Sequence, residues 1–341
     1  MIGAAFRPVT VVVLTTALTG CLFQDKVESF SGATMGSTYT VKYVAADSVP
    51  DKAELLRQTE TILAEIDKQV STYRADSAIE TFNELPGGQC MKVPVRLQAL
   101  FQAGQRLSDE SHGALDLTIE PLLNLWGFGP QGRGERVPSA QEIATARQDV
   151  GQHHLILNGD LLCKDRAVQV AFNSIAAGYA VDQVSASLEA SGVSDYLVEI
   201  TGELKAQGRK PDGSPWRIAI EAPRTNERAV QRVIELDGLG VSTSGDYRNY
   251  FERDGKRYSH TLDPSTGAPI VHHLAAVTVV DPSTLRADGL STVLMVLGPE
   301  RGLSYAKEHH IAALFVVHEG QGFTSKSTEA FDELFGAGAE Q

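Results

Sequence analysis

Asp288, Ser291 and Thr292 lie in "RADGLSTVLMVLG", residues 286–298, a stretch otherwise dominated by Leu, Val and Met. At helical spacing the three oxygen-bearing side chains sit one turn apart on a single face. A carboxylate followed one turn later by hydroxyls suits a hard divalent cation such as Mg2+, which takes oxygen ligands and keeps waters or substrate phosphates in its shell. The same residues also suit a helix cap, with Thr292 bonding back to the helix. His260 stands between "RYS" and "TLDPSTGAPI", where Asp263-Pro264 and Gly267 are strong turn formers. An imidazole at a strand end, titrating near neutrality, suits general-base work on a hydroxyl.

Three further patterns could serve a ligand. "VSTSG", residues 241–245, reads as a strand running into a small-residue turn whose amides could hold phosphate. Asp116 sits between a glycine turn and an apolar segment in "GALDLTIEPLLNLWGFG", as a cap or as a ligand group. Met35, flanked by Gly32 and Gly36, either fills core or lines a flat aromatic ligand.

These side chains need a scaffold, and the 341-residue chain is long enough to bury one. Apolar periodicity predicts helices over Lys52–Val70 and from Val95 to about Ser108, and "EPLLNLWGFG" predicts a short helix stopped by glycine. Ser139 caps a polar helix, and "IAAGYAVDQVSASLEASG" predicts another that ends at Gly192. "HLILN", "AVQVAF", "DYLVEI", "PWRIAIE", "AAVTVV" and "ALFVVHE" are short β-branched runs bounded by turn residues, and each predicts a strand. Helices early and strands late give an α+β class. The boundary is expected in the Gly-rich segment near residues 127–138.

The N-terminal 20 residues carry one charge, Arg7, and an apolar run too short to span a bilayer, which reads as a secretory signal. Leu18-Thr19-Gly20-Cys21 resembles a bacterial lipobox, so Cys21 is expected to be lipidated and to anchor the mature chain, with residues 21–30 as a tether. In an oxidising compartment Cys90 and Cys163 could pair, which spacing alone does not decide. The net charge is −13, and loss of Arg7 with the signal makes it −14. That acidity argues against nucleic acid as a partner and requires any phosphate-bearing ligand to find a local cation or a set of amides.

Taken in order, "ATMGSTY", "STYRADSAIETFN", "GALDLTIEPLLNLWGFG", "SIAAGYAVD", "YLVEITGE", "VSTSGDYRNYFERDGKRYSHTLDPSTGAPI" and "ADGLSTVLMVLGPE" resemble the ApbE family, the FAD:protein FMN transferases. The resemblance runs from about Ser31 to the last strands. It implies a two-lobed α+β fold with mixed or antiparallel sheets, flanking helices and a flavin cleft between the lobes. Residues 31–135 would be the mainly helical part and residues 136–341 the sheet part carrying the metal site, in one continuous catalytic unit. It also implies Mg2+-dependent transfer of FMN from FAD to a Thr or Ser hydroxyl of an exported acceptor, with release of AMP. By the family pattern Asp288, Thr292, Ser291 and the Ala176 carbonyl would ligate Mg2+. Met35, Tyr73, Ala114, Leu115, Asp116, Asn173, Tyr179 and Leu262 would contact FAD, and His260 would be the base. The implied partner is an exported respiratory protein with a Ser/Thr-Gly-Ala-Ser/Thr site, met on the periplasmic side of the inner membrane, with the outer membrane as the alternative seat of the anchor. The chain's own "SGAT", Ser31 to Thr34, resembles such a site. Three departures stand out: Ala171-Phe172 where members commonly carry Asp-Leu, Ala177 where a Lys is common, and Thr201-Gly202-Glu203 in place of Gly-Gly-Glu. The same site with water as nucleophile would make an FAD pyrophosphatase, and without catalysis a flavin-binding lipoprotein.

Overall fold

The computed structural model describes residues 26–337 apart from residues 133, 224–228, 247–249 and 321. Cys21 and the signal segment lie outside the described residues. The chain opens with a hairpin of β1 (Lys26–Thr34) and β2 (Ser37–Ala45), turning at Met35 and Gly36. Residues 26–30, expected as tether, are thus the first half of a strand, and Phe30 is buried against Tyr39 and Tyr43. Thr34 of the acceptor-like "SGAT" pairs with Ser37 at the hairpin end.

Helices α1 (Lys52–Val70) and α2 (Ala78–Asn83) follow, capped by Asp51 and Ser77. Strand β3 (Gln89–Lys92), helix α3 (Val95–Glu110) and helix α4 (Glu120–Trp126) come next, α4 being stopped by left-handed Gly127 as its sequence predicts. Helix α5 (Ala140–Ala146) carries a capping box of Ser139 and Glu142. Strands β4 (Leu155–Asn158) and β5 (Leu161–Lys164) form a small sheet with β3, in which Cys90 faces Cys163 and is disulfide-bonded to it across a span of 73 residues.

The run "AVQVAF" is not a strand. Val168, Val170 and Phe172 are buried, but the Asn83 side chain takes the role of a strand partner. It accepts from the Val170 amide at 2.7 Å and donates to the Val170 carbonyl at 3.0 Å. Alternation reports which face is buried, and here no second strand was available to pair with it.

The remaining elements are α6 (Ala176–Ala190), β6 (Tyr196–Ile200), β7 (Glu203–Gln207), β8 (Trp216–Glu221), β9 (Val230–Leu236) and β10 (Leu239–Gly245). They continue with β11 (Tyr250–Arg253), β12 (Lys256–Ser259), β13 (Leu262–Asp263), β14 (Ala268–Pro269), β15 (Leu274–Asp281) and α7 (Thr284–Glu308). The last are β16 (Ala312–Glu319), β17 (Gly322–Ser327) and α8 (Glu329–Phe335). An eight-stranded sheet runs β1-β2-β6-β7-β10-β15-β16-β17, with every pairing antiparallel. It takes strands from both sides of the expected boundary, so the helical and sheet-bearing segments share one core. Val198, Val277 and Phe315 face the main core with α1, α3, α6 and α7, whereas Leu197, Val280 and Leu314 face a second core with the β8–β9 hairpin and α8. Adjacent strand residues thus serve opposite faces, as a pleated strand requires.

Helix α7 does not stop at Gly298. It breaks there, with Gly298 at φ 80°, and resumes at Pro299. Proline cannot donate the amide that the Met295 carbonyl would take in an unbroken helix. The Nε2–H of His272 supplies it instead at 2.9 Å, while Nδ1 accepts the Leu274 amide at 3.3 Å. A Cβ on residue 298 would lie 2.6 Å from the His272 ring, so glycine answers both the backbone conformation and the close approach.

Burial holds the His272 imidazole below its ordinary 6.5, and neighbouring His273 reinforces this while the Met295 carbonyl, Asp246 and Glu300 oppose it. The unfolded chain therefore takes up a proton that the folded chain resists, so this residue lowers stability as pH falls below about 6.5. His272→Gln keeps an amide donor for Met295. Its thermal midpoint should fall less steeply than wild type from about pH 6.5 to about pH 5. Equal slopes would remove His272 from the acid response.

Candidate functional site

The site lies where the large sheet is incomplete. Strand β7 pairs with β10 only at Leu239, Gly240 and Val241, whereas β10 continues along β15 as far as Gly245. The "VSTSG" segment is strand, as expected, and stays strand through Gly245 where a turn was expected to begin; beyond Val241 it has no ladder partner in β7. This notch opens on a cavity of about 490 Å3, whose wall includes Thr243, Ser244, Glu203 and residues 218–221 of β8. That volume is in the usual range for a small-molecule pocket.

Eight of the residues singled out from sequence line this cavity: Ala114, Leu115, Asp116, Asn173, His260, Leu262, Asp288 and Thr292. They come from the α3–α4 connection, the approach to α6, the β12–β13 connection and α7. Met35, Tyr73, Ala176, Tyr179 and Ser291 are not on the wall. Met35 sits in the β1–β2 turn against the main core, Tyr73 is 69% exposed, and Ala176 and Tyr179 are buried in α6. Ser291 is buried because three residues along a helix is not the same bearing as four. Thr292 returns to the Asp288 face, while Ser291 turns to β10. There it donates to the Asp288 carbonyl at 2.8 Å and meets the Ser244 and Ser242 hydroxyls at 2.8 and 3.2 Å.

Asp288 is only 6% exposed. It occupies the second turn of α7, not its mouth. The first-turn amides of α7 are already engaged: Thr284 and Leu285 donate to Asp182 of α6, and Arg286 donates to Ser283. Asp182 is thus a cap supplied across a helix pair, a role that no local motif announces. One residue turn closer to the site, the Gly178 amide donates to the Asp288 carboxylate at 2.9 Å. A Cβ on Gly178 would fall 2.3 Å from the Thr284 carbonyl and 2.7 Å from the Asp288 Cβ, so α6 and α7 touch there through backbone.

Burial raises the Asp288 carboxyl well above the carboxylate range, and the nearby Glu203 raises it further, while the Gly178 amide and Ser242 oppose. Glu203 is likewise raised, first by burial, with Thr201, its own amide and Ser242 opposing. Sequence reading passed over Glu203 as part of a motif variant. Its place beside α7 depends on the β7–β10 register, which is a long-range fact. Asp116 is tied by the Thr118 amide and hydroxyl at 2.8 and 2.6 Å and by the Gln152 amide at 3.2 Å. The His260 ring lies edge-on to Phe128, 6.4 Å between centroids. The loop that follows it is stiff. Asp263 accepts from the Ser265 amide and hydroxyl, and the Trp126 indole donates to the Gly267 carbonyl at 2.9 Å.

Among the described residues the wall carries Asp116, Glu203, Glu221 and Asp288 and no Lys or Arg. Among the described residues no three His, Cys, Asp or Glu side chains gather as a metal cluster. One or two carboxylates with hydroxyls is the donor set of an ion that keeps its waters, which fits Mg2+ and not a fully protein-caged metal.

Gly178→Ala should separate α6 from α7 and cost about 1–3 kcal/mol of stability by overpacking. Urea denaturation would measure it, and an unchanged midpoint would mean that the two helices yield freely at this contact.

The ApbE family matches residues 35–315. An FAD:protein FMN transferase from Vibrio cholerae is 42% identical over 92% of this chain and 94% of its own, and one from Escherichia coli K12 is 37% identical over 90% and 88%. The crystal structure of the Pseudomonas stutzeri flavinyl transferase ApbE, apo form, is 68% identical and superposes with a TM-score of 0.89, covering 93% of this chain and 99% of that one. The Vibrio cholerae flavin transferase ApbE gives 0.84–0.85 in two forms at 40% identity. With its fold, its antiparallel sheet and most of its length matched in this way, the chain belongs to the ApbE family.

Proposed function

We propose that the chain is a flavin transferase that moves FMN from FAD to a Ser or Thr hydroxyl of an exported acceptor protein and releases AMP. The observation that carries this reading is that His260 and the Asp288–Thr292 pair, far apart in sequence, line one cavity. Family membership supplies the substrate class.

Asp288 and Thr292 would hold Mg2+, with the Ala176 carbonyl and Ser291 as the remaining candidates from the family pattern. When bound, the ion supplies the positive charge that offsets a diphosphate in this acidic cavity. Asp288 is held ready by the Gly178 amide. His260 takes the proton from the acceptor hydroxyl as its oxygen bonds to the FMN phosphorus. The anhydride bond breaks on the other side of that phosphorus, and AMP leaves with its electron pair. The apolar wall from Leu115, Leu123, Ile218 and Ile220 excludes water and suits a flat ring system. Transfer to protein then outruns hydrolysis only if the acceptor hydroxyl seats beside His260.

Lipidation of Cys21 would place this chemistry on the periplasmic side of the inner membrane. Among the described residues no helix is long and apolar enough to cross a membrane. The disulfide in the small sheet accords with an oxidising compartment.

Mass spectrometry of an acceptor peptide bearing Ser/Thr-Gly-Ala-Ser/Thr, incubated with FAD and Mg2+, should show addition of FMN. His260→Ala should still bind FAD but lose transfer by about 10²–10⁴-fold. Asp288→Ala should lose cation-dependent cleavage altogether. Release of free FMN and AMP with no modified peptide would favour a pyrophosphatase, and unchanged turnover in His260→Ala would take that residue out of the chemistry.

A further inference from the structure

Glu203 opens β7 just before Leu204, the last residue paired with β10 (to Val241), and Ser242 is the next residue of β10. Glu203 lines the same cavity as Asp288. It is the leading like-charge neighbour of Asp288, and the Ser242 hydroxyl favours the charged form of both groups. One hydroxyl has one proton, so it cannot donate to two carboxylates at once. Among the described residues of the wall no lysine or arginine makes up the difference. Lys205, in the same strand, donates instead to the Pro282 carbonyl and stands 3.7 Å from Asp182.

The backbone before Glu203 is strained in a way that aims it. Thr201 adopts φ 56°, a left-handed conformation that β-branched residues seldom take, where the family commonly has glycine. In that conformation its hydroxyl donates to Glu203 Oε2 at 2.9 Å. A strained residue that grips one oxygen of a half-buried carboxylate restricts where the other can point.

We propose that Glu203 is the second carboxylate of the cation site, a positioning residue that works with Asp288 to bind the divalent ion on which the proposed transfer depends. Two like charges in one desolvated pocket destabilise each other until a cation offsets both. Glu203 thus stores in the metal-free protein a repulsion that cation binding releases. The inference rests on the proposed function only for the presence of a cation, not for the chemistry that follows.

The test uses the mature chain without FAD and titrates Mn2+ alone, read by electron paramagnetic resonance, beside thermal midpoints without metal. Glu203→Gln should weaken Mn2+ binding by about 10–100-fold. Its metal-free midpoint should equal or exceed wild type, because a neutral amide removes the repulsion. Glu203→Asp should recover part of the affinity, and raised Mg2+ should restore transfer by Glu203→Gln. Wild-type Mn2+ affinity in Glu203→Gln, alongside loss in Asp288→Asn, would overturn the role of Glu203 and leave the proposed function standing. Wild-type affinity in both variants would sink the cation site itself. Should Glu203→Gln fail to fold, Thr201→Ala removes the aiming hydroxyl and keeps the charge. It should weaken Mn2+ severalfold, and unchanged affinity there would equally overturn the proposal.

Discussion

A single buried contact, the Gly178 amide on the Asp288 carboxylate, is where the architecture and the chemistry of this chain meet. A carboxylate this deep is unfavourable unless hydrogen bonds or a cation compensate it. The compensation is built from two helices that are distant in sequence. Helix α6 brings the amide, and α7 brings the acid. The two can approach because Gly178 has no side chain to hold them apart. Asp182, one turn further along α6, then caps the start of α7 and locks the pair in register.

The sheet does the complementary work. A continuous β7–β10 ladder would have sealed the space beneath α7, but it ends after Val241. The serines of β10 turn to the helix and satisfy Ser291, and the open end of β7 brings Glu203 in beside them. Helix α4 and the loop after β12 close another side, with Trp126 holding that loop at Gly267. Functional side chains therefore sit on rigid elements whose own hydrogen bonds are satisfied elsewhere, which keeps a site within its working geometry.

Local signals were easy to read. Lys52–Val70 is helical to the residue, Ser139 caps as expected, and Gly127 ends its helix. Apolar periodicity and caps act within a few residues, so a sequence exposes them. "AVQVAF" misled because burial on alternate sides does not require a strand partner, and the Asn83 side chain replaced one. The break at Gly298 carried no readable consequence in sequence, because the donor that repairs it, His272, comes from another element. Ser291 was grouped with Asp288 by one-turn spacing, and the real bearing of three versus four residues separated them. Glu203 and Asp182 carried no local signal at all. Their roles arise from pairing register and helix contact, which only the assembled fold supplies.

The charge on the cavity wall bears on how the site can work. Among the described residues of the wall, Asp116, Glu203 and Asp288 are acidic and none is Lys or Arg, which disfavours a diphosphate before any contact forms. Ala177 supplies no charge at the start of α6. On the proposed function, electrostatic neutralisation arrives with the ligand or just before it. A protein of net charge −13 that placed a permanent cation in this pocket would hold anions of many kinds. On the proposed function, a pocket left acidic admits a diphosphate best in company with a divalent ion, which would couple substrate entry to assembly of the reactive arrangement. The acidity of the cavity would then be a selective device, with the left-handed Thr201 and the burial of Asp288 as its structural cost.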